Sequence, residues 1–182
     1  MSDDHTQAVL STPVSDEDHI QASPEADLTL VEYGDYECPY CGRAYPIIKE
    51  VQRRLGAQLR FVFRNFPLRE SHPHAEMAAE AAEAAAAQGR FWEMHDVLYE
   101  HQRALDHSHL LQYARDLGLD ERQFDEDLRS HKYASRVRHD FLSGVRSGVN
   151  GTPTFFINGV RHDDAWDVET LSDALRAAMT SA

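Results

Sequence analysis

Only two of the 182 residues are cysteine, and they stand three positions apart. A disulfide framework of the kind that staples small secreted domains needs more cysteines at wider spacing, so that class is excluded. A lone close pair points instead to catalysis or to a metal. Basic residues are also scarce: 18 Lys and Arg face 31 Asp and Glu, for a formal net charge of −13. A surface of that sign repels phosphate backbones and anionic headgroups, which makes nucleic acid and membrane surfaces poor partners. No stretch is apolar enough to span a bilayer as a helix. Residues 1–21 lack the basic start and following apolar run of a secretory signal. The expected compartment is the cytoplasm, with a removed signal or tether as the alternative.

What is present suits one globular domain: 42% of the residues are hydrophobic, enough for a core at this length. Residues 1–16 are polar, acidic and without periodicity, and are expected to form a flexible tail. Leu28-Thr-Leu-Val-Glu-Tyr33 reads as a buried strand ending at Gly34-Asp35. A helix is predicted from near Cys38 to about Leu55, and a second strand over Leu59–Asn65, which gives a βαβ unit. From residue 72 to about 149 the pattern turns helical. It opens with an alanine-rich run, Ala75 to Gln88, and Gly89, Gly118 and the Asp120/Gln123 capping pair mark breaks between four or five helices. Strand signals return at Thr154–Ile157 and Val160–His162 around an Asn158-Gly159 hairpin turn, and Asp167 caps a last helix. The domain assignment is therefore a tail (1–16), an α/β domain in two parts (17–71 and 150–182) and a helical insertion (72–149).

Cys38-Pro39-Tyr40-Cys41 falls where a strand hands over to a helix. Cysteines at i and i+3 on a first helical turn share a face, and Pro39 is tolerated there because first-turn N–H groups lack intrahelical partners. Cys38, at the cap position, meets free N–H groups and the positive end of the helix dipole, which favour a thiolate. Cys38 is therefore the expected nucleophile, and Cys41, one turn deeper, acts second on the mixed disulfide. The same spacing also serves zinc, with His72 and His74 as the nearest candidate partners. The aromatic set Phe91, Trp92 and Tyr99 is assigned to the core by its helical spacing, although it could line a groove.

Several segments together resemble the DsbA-like branch of the thioredoxin superfamily, from about Asp18 to Met179. They are Val31-Glu-Tyr-Gly-Asp-Tyr-Glu-Cys-Pro-Tyr-Cys41, Phe63-Arg-Asn-Phe-Pro-Leu68, the helical insertion, and Gly151-Thr-Pro-Thr-Phe-Phe-Ile-Asn-Gly159. The resemblance implies a thioredoxin-like α/β fold with an inserted helical subdomain, and a thiol-disulfide oxidoreductase needing no cofactor or metal. It implies that Thr152-Pro153 forms a cis-proline loop beside the cysteines, that the Thr152 backbone pairs with an extended substrate, and that Glu32 is a buried proton acceptor for Cys41. Pro39 and Tyr40 complete the supporting set, and Pro46, inside the helix, is a fold marker that should kink it. The implied partners are protein or peptide thiols and disulfides, with an unidentified redox partner to recycle the pair.

Direction depends on how well the Cys38 thiolate is stabilised. The Pro-Tyr dipeptide is glutaredoxin-like and brings no cation. Asp35 and Glu37, just ahead of Cys38, are expected to oppose the thiolate, raise its pKa and favour a potential short of the strongest oxidants. Two other readings remain on the same fold: a redox-inactive binding or chaperone module, and a glutathione-dependent isomerase or transferase, whose members typically replace the cysteine pair.

Overall fold

The computed structural model describes residues 7–180. Among these, five strands form one sheet in the order β1-β3-β2-β4-β5. They are β1 (His19–Gln21), β2 (Leu28–Gly34), β3 (Leu59–Asn65), β4 (Thr154–Ile157) and β5 (Val160–His162). Helix α1 (Pro39–Leu55) is the crossover that makes β2 and β3 parallel, while β4 runs antiparallel to β2. Between β3 and β4 the chain builds the insert: α2 (Ala75–Ala86), α3 (Phe91–Glu100), α4 (His107–Asp116), α5 (Glu121–Arg129) and α6 (Ala134–Arg146). Helix α7 (Val168–Thr180) closes the described chain against α1. This is the thioredoxin-like α/β fold with a helical insert.

The period-2 alternation of a strand sorts the central residues into two cores. Leu28, Leu30, Phe61, Phe63, Phe155 and Ile157 face α1 and much of the insert. Val31, Tyr33, Val62 and Phe156 face the opposite way and pack with Phe66, Val149 and Phe141 of α6. Every residue of β2 is buried, which is why its sequence is nearly continuously apolar. Glu32 is the exception, placed between Phe63 of β3 and Phe155 of β4 in the ladder.

The short capping signals read from the sequence act as donors' partners here. Asp120 accepts from Gln123 N at 3.0 Å, and Asp167 accepts from Thr170 N at 3.0 Å. Asn158 and Gly159 both adopt positive φ, 48° and 84°, as the β4–β5 turn requires. Pro46 lies at an exposed position within an unbroken α1.

The tail expectation needs correction past its first six residues, which lie outside the described residues. Arg161 N donates to Ala8 O and Leu10 N donates to Gly159 O, each at 2.8 Å, so this segment covers the free edge of β5. Ser11 N then donates to Ser147 Oγ at 3.0 Å. Arg64 of β3 holds the segment from below. Its buried guanidinium donates to Thr12 O, Pro13 O and both oxygens of Asp18. Polar composition made residues 7–16 look unanchored, but the anchor is a distant buried arginine. β1, three residues long, was likewise too short to carry a periodic signal.

Candidate active site

Helix α1 starts directly from the end of β2, and Cys38 is its N-cap residue, in extended backbone conformation (φ −70°, ψ 123°). Pro39 has no N–H and Cys38 N donates to Asp35 O at 3.1 Å, so the first-turn N–H groups left to face a sulfur at the cap are those of Tyr40 and Cys41. Cys38 Sγ lies 3.6 Å from Thr152 O, and the Thr152–Pro153 peptide is cis. The loop that leads from α6 into β4 thus meets the nucleophile's side of the helix. Both cysteines are reduced, Cys38 3% and Cys41 0% exposed.

The two sulfurs are electrostatically unlike. The Cys41 side chain, hydrogen-bonding to Cys38, has the largest effect on Cys38 and brings its pKa down to about 5. Burial works against that bond, while Thr152 and the backbone N–H groups of Cys41 and Tyr40 reinforce it. Cys41 moves the other way: burial, its bond to Cys38 and the charges of Glu32 and Cys38 push its thiol well above the ordinary value. Asp35 N, donating to Cys41 Sγ at 3.5 Å, opposes this only in part.

Glu32 is 2% exposed, and its Oε1 has no hydrogen-bond partner among the described residues. Burial between two phenyl rings, with the Cys38 charge adding, raises its pKa to about 8. Tyr99 of α3 enters the same space. Its hydroxyl is buried without a hydrogen-bond partner among the described residues, lies 2.8 Å from where a Cβ on Gly34 would be, and feels the charges of Cys41 and Glu32 after the effect of burial. Pro39 and Tyr40 lie on the exposed side; the Tyr40 ring is 56% exposed, with Arg43 Cζ 4.5 Å from its centroid.

The expectation that Asp35 and Glu37 raise the Cys38 pKa is overturned by where their charges go. Asp35 is buried, with His72 Nδ1 at 2.7 Å, and accepts from Leu68 N and Glu37 N at 2.9 and 2.8 Å. Glu37 is held by His74, whose N donates at 2.6 Å and whose Nδ1 lies at 2.9 Å. Each carboxylate is thus engaged by its own histidine, and Cys38 is stabilised as a thiolate. His72 and His74, which the sequence offers as zinc partners or as residues of a loop and helix start, lie in the turn before α2 and at its N-cap. The usable signal was their spacing, since each stands 37 residues after its carboxylate. Gln102, which reaches the main chain of the motif, left no signal at all. Phe91 and Tyr99 are buried and Trp92 packs against the same core.

The family described as thioredoxin matches residues 14–177. The Na(+)/H(+) antiporter NhaA 3 of Salinispora tropica is 48% identical over 174 residues, covering 95% of this chain and 26% of that protein. The chain spans about a quarter of the length of the curated relatives it matches. A thioredoxin-like oxidoreductase from Silicibacter pomeroyi superposes with a TM-score of 0.80 at 28% identity, over 92% of this chain and 95% of that one. Oxidised BdbD from Bacillus subtilis superposes with a TM-score of 0.84 at 22% identity, over 96% and 99%.

Proposed function

The chain belongs to the DsbA-like family of the thioredoxin superfamily, an oxidoreductase class of enzymes, and from that premise we propose that it exchanges disulfides with protein thiols through Cys38 and Cys41. The observation that carries this reading is the opposed tuning of two sulfurs one helical turn apart: Cys38 brought down to about 5, Cys41 pushed up. At neutral pH the first is a thiolate ready to attack, and the second is a thiol kept in reserve.

Acting as an oxidant, the Cys38–Cys41 disulfide is attacked at Cys38 Sγ by a client thiolate. The Sγ–Sγ bond breaks and Cys41 leaves with the electron pair. A second client thiol then displaces Cys38, which leaves readily because its thiolate is stabilised. Acting as a reductant, the Cys38 thiolate attacks a client disulfide and Cys41 resolves the mixed disulfide. Cys41 must lose its proton to do so, and we assign Glu32, buried beside it with a pKa of about 8, as the group that takes and releases it; the charge of Glu32 acting on Cys41 supports this. The exposed Tyr40 and the Thr152 backbone beside Cys38 offer the surface on which an extended client segment would lie.

A pKa of about 5 lies between those of the common reductant, about 7, and the strongest oxidant, about 3.5. We therefore assign an intermediate potential, with an unidentified redox partner recycling the pair. The antiporter activity in the relatives' names belongs to those proteins, and no part of this proposal uses it.

The test is a Cys41→Ser variant, which cannot resolve the mixed disulfide. Exchange predicts that client proteins accumulate on Cys38 and are released by reductant. A variant that carries no covalently bound client contradicts the reading.

A further inference from the structure

Gln102 lies in the turn that follows α3, and the thiol chemistry described above makes no use of it. Its side chain nevertheless ends at the active-site loop. Nε2 donates to Tyr36 O at 2.9 Å and to Cys38 O at 2.8 Å, so both hydrogens of one carboxamide are engaged. Gly42 N donates to the same Cys38 carbonyl at 3.0 Å, filling its second lone pair. The other end of the carboxamide occupies space next to α1. A Cβ placed on Gly42 would overlap Gln102 Oε1.

These contacts explain a residue that helix physics disfavours. Gly42 sits in the first turns of α1, and its backbone does not adopt a positive φ. A glycine there costs about 1 kcal/mol relative to alanine and needs a packing reason. Gln102 is that reason. One carboxamide reaches from Tyr36, ahead of the nucleophile, to the residue that follows Cys41, joining the helical insert to both ends of the motif.

Resting on the exchange reading above, we propose that Gln102 is a positioning residue for the resolving step. In that step the Cys41 thiolate attacks Cys38 Sγ and an Sγ–Sγ bond forms. The bond from Cys38 to the client sulfur breaks, and the client leaves as a thiolate with the electron pair. The Cys41 proton goes to the Glu32 carboxylate. A misplacement of about 1 Å can cost ~100-fold in such a reaction. By holding the Cys38 main chain, the Gln102 clasp keeps its sulfur within reach of Cys41.

The experiment mixes reduced full-length protein with glutathione disulfide, quenches with acid at intervals, and follows the mixed and internal disulfides by mass. Gln102→Ala and Gln102→Glu should accumulate the mixed disulfide, with resolution slowed about tenfold or more, while the first attack by Cys38 stays within about twofold of wild type. Gln102→Glu keeps the size and loses the donors, so it carries the test should the alanine variant fold poorly, as monitored by circular dichroism. Gly42→Ala should slow resolution too, and Gly42→Ala/Gln102→Ala should resolve faster than Gly42→Ala alone because the overlap is gone. Wild-type resolution in Gln102→Glu, or losses that simply multiply in the double variant, would overturn the proposal. Wild-type protein that forms no Cys38–Cys41 disulfide would instead overturn the exchange reading, and this proposal with it.

Discussion

His72 Nδ1 lies 2.7 Å from the buried carboxylate of Asp35, three residues ahead of Cys38. This contact joins the loop after β3 to the loop that presents the nucleophile, and it gives the Asp35 carboxylate a hydrogen-bond partner of its own. His72→Ala should therefore raise the Cys38 pKa from about 5. At pH 5 the rate of alkylation by iodoacetamide should fall about threefold, since the thiolate fraction sets that rate. An unchanged pH profile would mean that Asp35 does not reach Cys38.

The pH dependence of stability should differ between the two redox forms. Cys38 in the reduced protein has a pKa depressed to about 5, well below the ordinary thiol range. The stability it contributes is full above the unfolded value and is lost as pH falls toward 5. Glu32 has a pKa raised to about 8, so its burial costs nothing below its unfolded value near 4.5 and costs progressively more as pH rises to 8. Between pH 5 and 8 the two oppose each other in the reduced form. Oxidation removes the Cys38 contribution, so the oxidised form should lose stability relative to the reduced form as pH rises, by at most about 1.4 kcal/mol per pH unit. Urea midpoints of both forms at pH 5 and pH 8 measure this.

Glu32→Gln should remove the cost that the buried carboxylate adds in both redox forms as pH rises to 8, and make the oxidised protein more stable than wild type at pH 8. The same variant should slow resolution of the mixed disulfide, because Cys41 loses its proton acceptor. Stability without slowed resolution would leave Glu32 a buried acid with no part in the exchange.

Arg64→Ala should cost about 3–5 kcal/mol, the usual penalty for leaving the partner of a buried ion pair alone. The pair is buried on both sides, with Arg64 3% and Asp18 6% exposed. The same guanidinium also donates to Thr12 O and Pro13 O, so the N-terminal segment should become sensitive to proteolysis before the rest of the chain. Chemical denaturation and limited digestion with a glutamate-specific protease, which can cut after Glu17, test the two effects separately.

The parts of the fold that could be read from the sequence are those with local causes. Apolar runs over β2 and β3, the Asn158-Gly159 turn and the Asp120 and Asp167 caps each carry their own signal within a few residues. β1 and the segment covering β5 do not, because pairing with distant strands holds them, and a buried arginine of β3 ties down the residues between them. The placement of the cysteine pair at a strand-to-helix junction was legible for the same local reason. Its electrostatics were not. Asp35 and Glu37 look repulsive to a thiolate in sequence, but the hydrogen-bond partners that engage them, His72 and His74, arrive from the segment after β3. Gln102 comes from further away still and belongs to no motif.

The most direct test is equilibration of the purified protein in glutathione buffers of graded poise, with alkylation and mass readout of Cys38 and Cys41. The account predicts one reversible two-electron transition, with a midpoint between the reductase-like value of about −270 mV and the oxidase-like value of about −120 mV. A protein in which no Cys38–Cys41 disulfide forms at any poise would contradict it.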